Sequence, residues 1–105
     1  MQTTQVIVMT GCASGIARHL TKALSTAYRI VATDVNVTGL EQAAKDDGWN
    51  PEQVKTLKLD VRNAGEWEEC LRVALAHFGR VDVLVHVAGY LKPGSVPQLD
   101  AAEVV

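Results

Sequence analysis

The sequence predicts a three-layer α/β fold with a parallel sheet, and three observations carry that prediction. Apolar runs of strand length alternate with stretches of helical period along the whole chain. The first and last of these runs are almost continuously apolar, as strands covered on both faces are. A glycine turn after the first run opens directly into a helical stretch. Alternating units of this kind imply parallel strands joined by right-handed crossovers. Flavodoxin-like and dinucleotide-binding strand orders both satisfy the pattern, so the loops must decide between them.

Taken in order, Val6-Ile7-Val8-Met9 is a short β-branched run stopped by Thr10-Gly11 and reads as the first strand. Ile16, Leu20, Ala23, Leu24 and Ala27 recur at helical spacing and predict a helix over residues 14–27. Arg29–Thr33 is the second strand. Leu40, Ala43 and Ala44 mark a second helix that ends near Gly48, with Asn50-Pro51 confirming the break. Leu57, Leu59 and Val61 alternate with Lys58 and Asp60, which predicts a third strand with one solvated face, at the sheet edge. Asn63 and Glu66 form an N-x-x-E start resembling a capping box, followed by the stripe Trp67, Cys70, Leu71, Ala74, Leu75 and Phe78, and Gly79 ends this third helix. Val81–Val87 is a fourth strand, expected to be buried on both faces. Beyond Gly89, Pro93, Gly94 and Pro97 loosen the chain, and Asp100-x-x-Glu103 resembles the start of another helix.

A chain of 105 residues fits one domain, 1–105, and its 48% hydrophobic and 21% charged residues are ordinary for a folded globule. Ten basic and twelve acidic residues leave a formal charge of −2, so no basic surplus points to nucleic acid. No apolar run approaches the roughly 20 residues of a membrane span. Residues 1–5 hold no Lys or Arg and lead into only four strongly apolar residues, unlike a signal peptide. Cys12 and Cys70 have no metal-like spacing and suit thiols in a reducing, cytoplasmic setting.

The loop Thr10-Gly11-Cys12-Ala13-Ser14-Gly15-Ile16-Ala17 is where chemistry is expected. A turn without Cβ atoms lets backbone N–H groups approach a pyrophosphate, and the helix N-terminus adds partial positive charge. No lysine stands near the turn, which argues against a nucleoside triphosphate loop. Asp34 follows the second strand, 19 residues beyond Gly15, where a carboxylate accepts hydrogen bonds from an adenosine ribose. Either feature alone is compatible with plain turn and cap roles; together they point to a dinucleotide.

Thr10-Gly11-x-x-x-Gly15-Ile16 resembles the TGxxxGxG cofactor loop of the short-chain dehydrogenases/reductases. Asp60-Val61 is similar to that family's Asp-Val/Leu pair, and His86-Val87-Ala88-Gly89 takes the place of its Asn-Asn-Ala-Gly motif. The motifs come in the family's order and span the whole chain. The resemblance implies a Rossmann-type doubly wound sheet with strand order 3-2-1-4. It implies NAD as the cofactor, with Gly11, Ser14, Gly15 and Ile16 along the pyrophosphate, Asp34 on the ribose, Asp60 and Val61 beside adenine, and Ala88 with Gly89 at the adjoining ribose region. The implied activity is oxidation of an alcohol or reduction of a carbonyl, with a small-molecule substrate in the full-length parent.

The sequence also departs from the family. Ala17 replaces the third glycine of the loop, adding a methyl near the expected pyrophosphate path, and Val87 replaces an asparagine amide. Family members run well beyond this length, and their catalytic serine, tyrosine and lysine, the last two in a YxxxK motif, come in the second half. Here the tyrosines are Tyr28 and Tyr90, and neither is followed by lysine four residues later. No catalytic residue is therefore assigned, and the chain reads as an N-terminal half. In the order 3-2-1-4 its fourth strand would be an uncovered edge, so association with another copy or a complementary fragment is expected. A non-catalytic nucleotide-binding or association module is the alternative reading. Cys12 reads as a small loop residue whose thiol a helix N-terminus would make more acidic, Trp49 and Trp67 as packing groups, and His86 as a strand-end histidine.

Overall fold

A computed structural model describes residues 4–87 of the chain. Four strands, β1 (Val6–Met9), β2 (Arg29–Asp34), β3 (Val54–Lys58) and β4 (Val83–Val85), alternate with three helices, α1 (Gly15–Leu24), α2 (Val37–Asp47) and α3 (Ala64–Phe78). The sheet is parallel with the order β3-β2-β1-β4. Val6 pairs with Arg29, Ile30 with Val54 and Ile7 with Val83. This is the expected doubly wound half-sheet.

Alternation along the strands builds the three layers. Ile7 and Met9 of β1, Ile30 and Ala32 of β2 and Val54 of β3 join Ala17 of α1 with Leu40 and Ala43 of α2 in one buried cluster. Val8 and Val31, pointing the other way, join Leu59 with Cys70 and Ala74 of α3. All four residues of β1 are buried, which explains its lack of any polar position. Arg18 of α1 grips Asp47 at the end of α2 through both carboxylate oxygens, at 2.8 and 2.9 Å.

Local chemistry sets the element ends. Asn36 and Asn63 cap α2 and α3 by accepting from the Gly39 and Glu66 amides, and Gly48 and Gly79 end those helices in the left-handed region. α1 is shorter than the predicted 14–27, because Ser25 and Thr26 turn their hydroxyls back onto the carbonyls of Lys22 and Ala23 and the chain leaves the helix there. β3 runs over Val54–Lys58 rather than through Val61. The alternating pattern belongs partly to the following loop, where Leu59 is buried beneath α3 and Val61 is exposed. The edge position of β3 holds.

β4 is also shorter than the sequence suggests and is not buried on both faces: Val83 is 40% and Leu84 55% exposed. Side chains replace the ladder at each of its ends. Asp82 accepts from the Val6 amide at 2.8 Å while its own amide donates to the Val6 carbonyl. At the other end the Val87 amide donates to the Thr10 hydroxyl at 3.0 Å. The predicted helix around Asp100 and Glu103 lies outside the described residues.

Candidate functional site: a cleft at the strand ends

The carboxyl ends of all four strands open into one cleft of about 720 Å³. Its walls come from the loops that follow the strands, including Thr10 and Gly11 after β1, Asp34 at the end of β2, Asp60 and Val61 after β3 and His86 after β4. Strand order reverses between β1 and β4, and a crevice at such a switch point is where open α/β sheets bind ligands.

After β1 the chain turns through Gly11 at φ 75° and enters α1 through Gly15 at φ 69°, a conformation that a side chain would strain. Ser14 is the N-cap residue of α1, yet its hydroxyl makes no capping bond, and the first turn of the helix holds no acidic residue. The helix therefore meets the loop with its amide donors and partial positive charge uncompensated by side chains. Ser14 and Gly11 line the cleft. Gly15 and Ile16 stand on the first turn of α1, outside the cleft walls, and the Ile16 side chain is 70% exposed.

Ala17 does not crowd this loop. It is fully buried in the cluster between α1 and the sheet, so its methyl serves packing. Cys12 is likewise buried, and its thiol donates to the Met9 carbonyl at 3.3 Å. Burial pushes this thiol up to about 11, the opposite of the acidification expected at a helix N-terminus, because desolvation of the thiolate outweighs the hydrogen bonds with the Thr21 hydroxyl and the Thr33 backbone.

Asp34 is held by two backbone donors. Its Oδ2 accepts from the Ala13 amide at 2.9 Å and its Oδ1 from the Asn36 amide at 2.9 Å. The end of β2 is thus tied to the glycine loop across 21 residues of sequence. An ionised carboxylate offers about four acceptor sites, so two remain for a ligand in the cleft.

The loop after β3 is tied down in a different way. Arg62 folds back on Asp60, its Nε 3.1 Å from Oδ1 and its Nη2 3.1 Å from Oδ2. The Arg62 guanidinium and the Arg62 amide hold the Asp60 carboxyl below the usual carboxylate range. Glu66 does not close the expected capping box onto Asn63. Its Oε1 accepts from the Asp60 amide at 2.7 Å, and its Oε2 from Lys58 Nζ at 3.0 Å. Trp67, expected only to pack, also donates Nε1–H to the Val61 carbonyl at 2.8 Å.

On the far side, Thr10 Oγ1 lies 2.9 Å from His86 Nδ1 and accepts from the Val87 amide. Val87, standing where the family motif has asparagine, takes part here through its backbone. Thr10, Ala13, Glu66 and Trp67 are the site-building residues that sequence reasoning passed over; only the N-x-x-E spacing singled out Glu66, and for a different partner. Ala88 and Gly89 lie outside the described residues. Among the described residues no cluster of metal-ligating side chains occurs, and no helix is long and apolar enough to cross a membrane.

The family model described as short chain dehydrogenase matches residues 5–105. The chain is 32% identical over 96 residues to D-threitol dehydrogenase of Mycolicibacterium smegmatis, covering 90% of this chain and 37% of that protein. It is 33% identical over 88 residues to 15-hydroxyprostaglandin dehydrogenase [NAD(+)] of Rattus norvegicus, covering 81% and 33%. Among solved structures, a short-chain dehydrogenase/reductase described as glucose/ribitol dehydrogenase from Brucella melitensis superposes with a TM-score of 0.70 at 32% identity, over 77% of this chain and 34% of that one. A family member from Burkholderia phymatum, solved in complex with NAD, gives 0.71 at 25% identity, over 81% and 31%. The chain spans about a third of the length of the curated relatives it matches. A family match that runs from residue 5 to the last residue, over a sheet of the same order, establishes that the chain belongs to the short-chain dehydrogenase/reductase family.

Proposed function

We propose that the chain forms the NAD(H)-holding part of an oxidoreductase that oxidises an alcohol or reduces a carbonyl. The observation that carries this reading is Asp34, a carboxylate fixed in the cleft by the Ala13 and Asn36 amides with two acceptor sites to spare. Two free acceptor sites match the two hydroxyls of an adenosine ribose. A 2′-phosphate in place of one hydroxyl would meet like charge, which favours NAD(H) over NADP(H).

The other assignments rest on the same cleft. Gly11, Ser14, Gly15 and Ile16 supply the loop and first helical turn that would receive the pyrophosphate, where the Ser14 hydroxyl is not spent on capping. Asp60 and Val61 form the wall that would meet adenine. Ala88 and Gly89 would border the adjoining ribose through the resemblance alone. When bound, the nicotinamide ring supplies the hydride chemistry; the residues of this chain bind and orient it. The relative solved with NAD and the relative named for NAD(+) support the choice of dinucleotide.

Calorimetric titration of the 105-residue chain with NADH tests the reading. Saturable binding that is lost in Gly11→Trp, which fills the loop, is the expected outcome. Absence of binding, or binding untouched by that substitution, refutes it. The exposed Leu84 and Val83 on β4 support a second element of the proposal, association of this edge with another copy or with a complementary segment.

A further inference from the structure

We propose that Glu66 and Trp67, on the first turn of α3, are positioning residues for the adenosine end of the dinucleotide. The inference rests on the cofactor reading above and concerns how the loop after β3 is held. The peptide run Asp60–Val61 presents four polar backbone atoms beside the cleft, and three of them are tied back to α3 and its cap. The Asp60 amide donates to Glu66 Oε1 at 2.7 Å, the Asp60 carbonyl accepts from the Asn63 amide at 2.9 Å, and the Val61 carbonyl accepts from Trp67 Nε1 at 2.8 Å. The fourth, the Val61 N–H, has no acceptor among the described residues, and Val61 lines the cleft.

This arrangement exceeds what capping α3 requires. Asn63 already accepts from the Glu66 amide, which satisfies the helix start. Glu66 reaches past Asn63 to Asp60 and is itself steadied by Lys58, while Trp67 packs against the buried cluster of Val8, Val31, Leu59, Cys70 and Ala74. Both side chains therefore transmit the rigidity of the helix and core to two residues that line the cleft. A wall held in its bound shape spares the ligand the cost of ordering it.

Heteronuclear NMR on the isotope-labelled chain tests this with 5′-AMP, followed at the Val61 and Gly11 amides. Trp67→Phe puts a smaller aromatic ring in place of the indole and removes the N–H donor; it should weaken 5′-AMP about two- to tenfold, the worth of one hydrogen bond, with the Gly11 amide in the free protein unmoved. Glu66→Ala should weaken it by a similar factor, and Glu66→Gln, which keeps an acceptor for the Asp60 amide, should restore affinity to within about twofold. If Trp67→Phe does not fold, the Glu66 pair decides alone. Unchanged affinity in Trp67→Phe and Glu66→Ala, or equal loss in Glu66→Gln and Glu66→Ala, overturns the positioning role. A wild-type chain that binds neither 5′-AMP nor NADH overturns instead the cofactor reading beneath it.

Discussion

Replacing Asp34 by asparagine should narrow the discrimination between 5′-AMP and 2′,5′-ADP, two ligands that differ only by the 2′-phosphate. The magnitude follows from the carboxylate's surroundings. Two of its acceptor sites are taken by the Ala13 and Asn36 amides, each at 2.9 Å, so the remaining two face the cleft as charged acceptors. Hydrogen bonds to a charged group are worth about 1.5–3 kcal/mol. A like charge about 4 Å away costs between about 1 kcal/mol in bulk water and about 4 kcal/mol at the effective dielectric of a protein surface. Asp34 is partly exposed, so the lower part of that range applies. Together the two effects give roughly 2.5–5 kcal/mol, or about 60-fold to 4,000-fold in favour of 5′-AMP at about 1.4 kcal/mol per decade. Asp34→Asn keeps one oxygen acceptor and removes the charge, and the ratio should fall by about tenfold or more. Any loosening of the glycine loop weakens both ligands alike, so the ratio isolates the 2′ position. Isothermal titration at one ionic strength reads it directly. Tighter binding of 2′,5′-ADP to the wild-type chain, or an unchanged ratio in the variant, would show that Asp34 does not face the 2′ position.

Other consequences follow from the packing and the charges. Leu40, 1% exposed between α2 and the sheet, should cost about 2–5 kcal/mol when cut to alanine, whereas Leu75→Ala at 53% exposure should cost under about 1 kcal/mol; urea midpoints compare them. The Asp82 carboxyl is held below its ordinary range by Arg80 first and then by the Val6 amide. The stability it contributes is present above the ordinary carboxylate range and is lost as pH falls through its lower folded value, so Asp82→Asn should flatten the acid limb of a stability profile measured by urea titration. The 105-residue chain should show no NAD-dependent turnover of secondary alcohols above background, because neither Tyr28 nor Tyr90 has a lysine four residues on and general acid–base assistance is typically worth about 10²–10⁴ in rate. Turnover that Gly11→Trp abolishes would require a catalytic group not assigned above.

The order of the elements was legible because each strand and helix announces itself locally, by β-branched runs, helical spacing and glycine stops. Asp34 and the glycine loop were legible for the same reason: a carboxylate at a strand end and a loop opening a helix are short-range signals. What escaped was chemistry between distant segments. The ends of β4 are closed by bonds from the Val6 amide to the Asp82 carboxylate and from the Val87 amide to the Thr10 hydroxyl, across 76 and 77 residues, so strand propensity alone lengthened β4 over residues whose pairing side chains complete. The third strand was displaced because Leu59 and Val61 keep the alternation while the first packs under α3 and the second faces the cleft. The packing role of Ala17 was not legible, because a loop pattern does not say which residue has already turned inward onto the sheet.

The cleft is thus assembled from strand ends latched in pairs, and the latches divide it. The Ala13–Asp34 bond joins the glycine loop to the ribose carboxylate, while Glu66 and Trp67 fix the wall after β3 independently of that loop. On the β4 side, the Thr10 hydroxyl accepts from the Val87 amide at 3.0 Å and lies 2.9 Å from His86 Nδ1 and 3.4 Å from the Val87 carbonyl. Thr10 therefore ties both the His86 ring and the Val87 amide to the end of β1. Because no latch among the described residues is shared between the wall after β3 and the β4 side, substitutions at Trp67 and at Thr10 should perturb different parts of one ligand, and their binding effects should add.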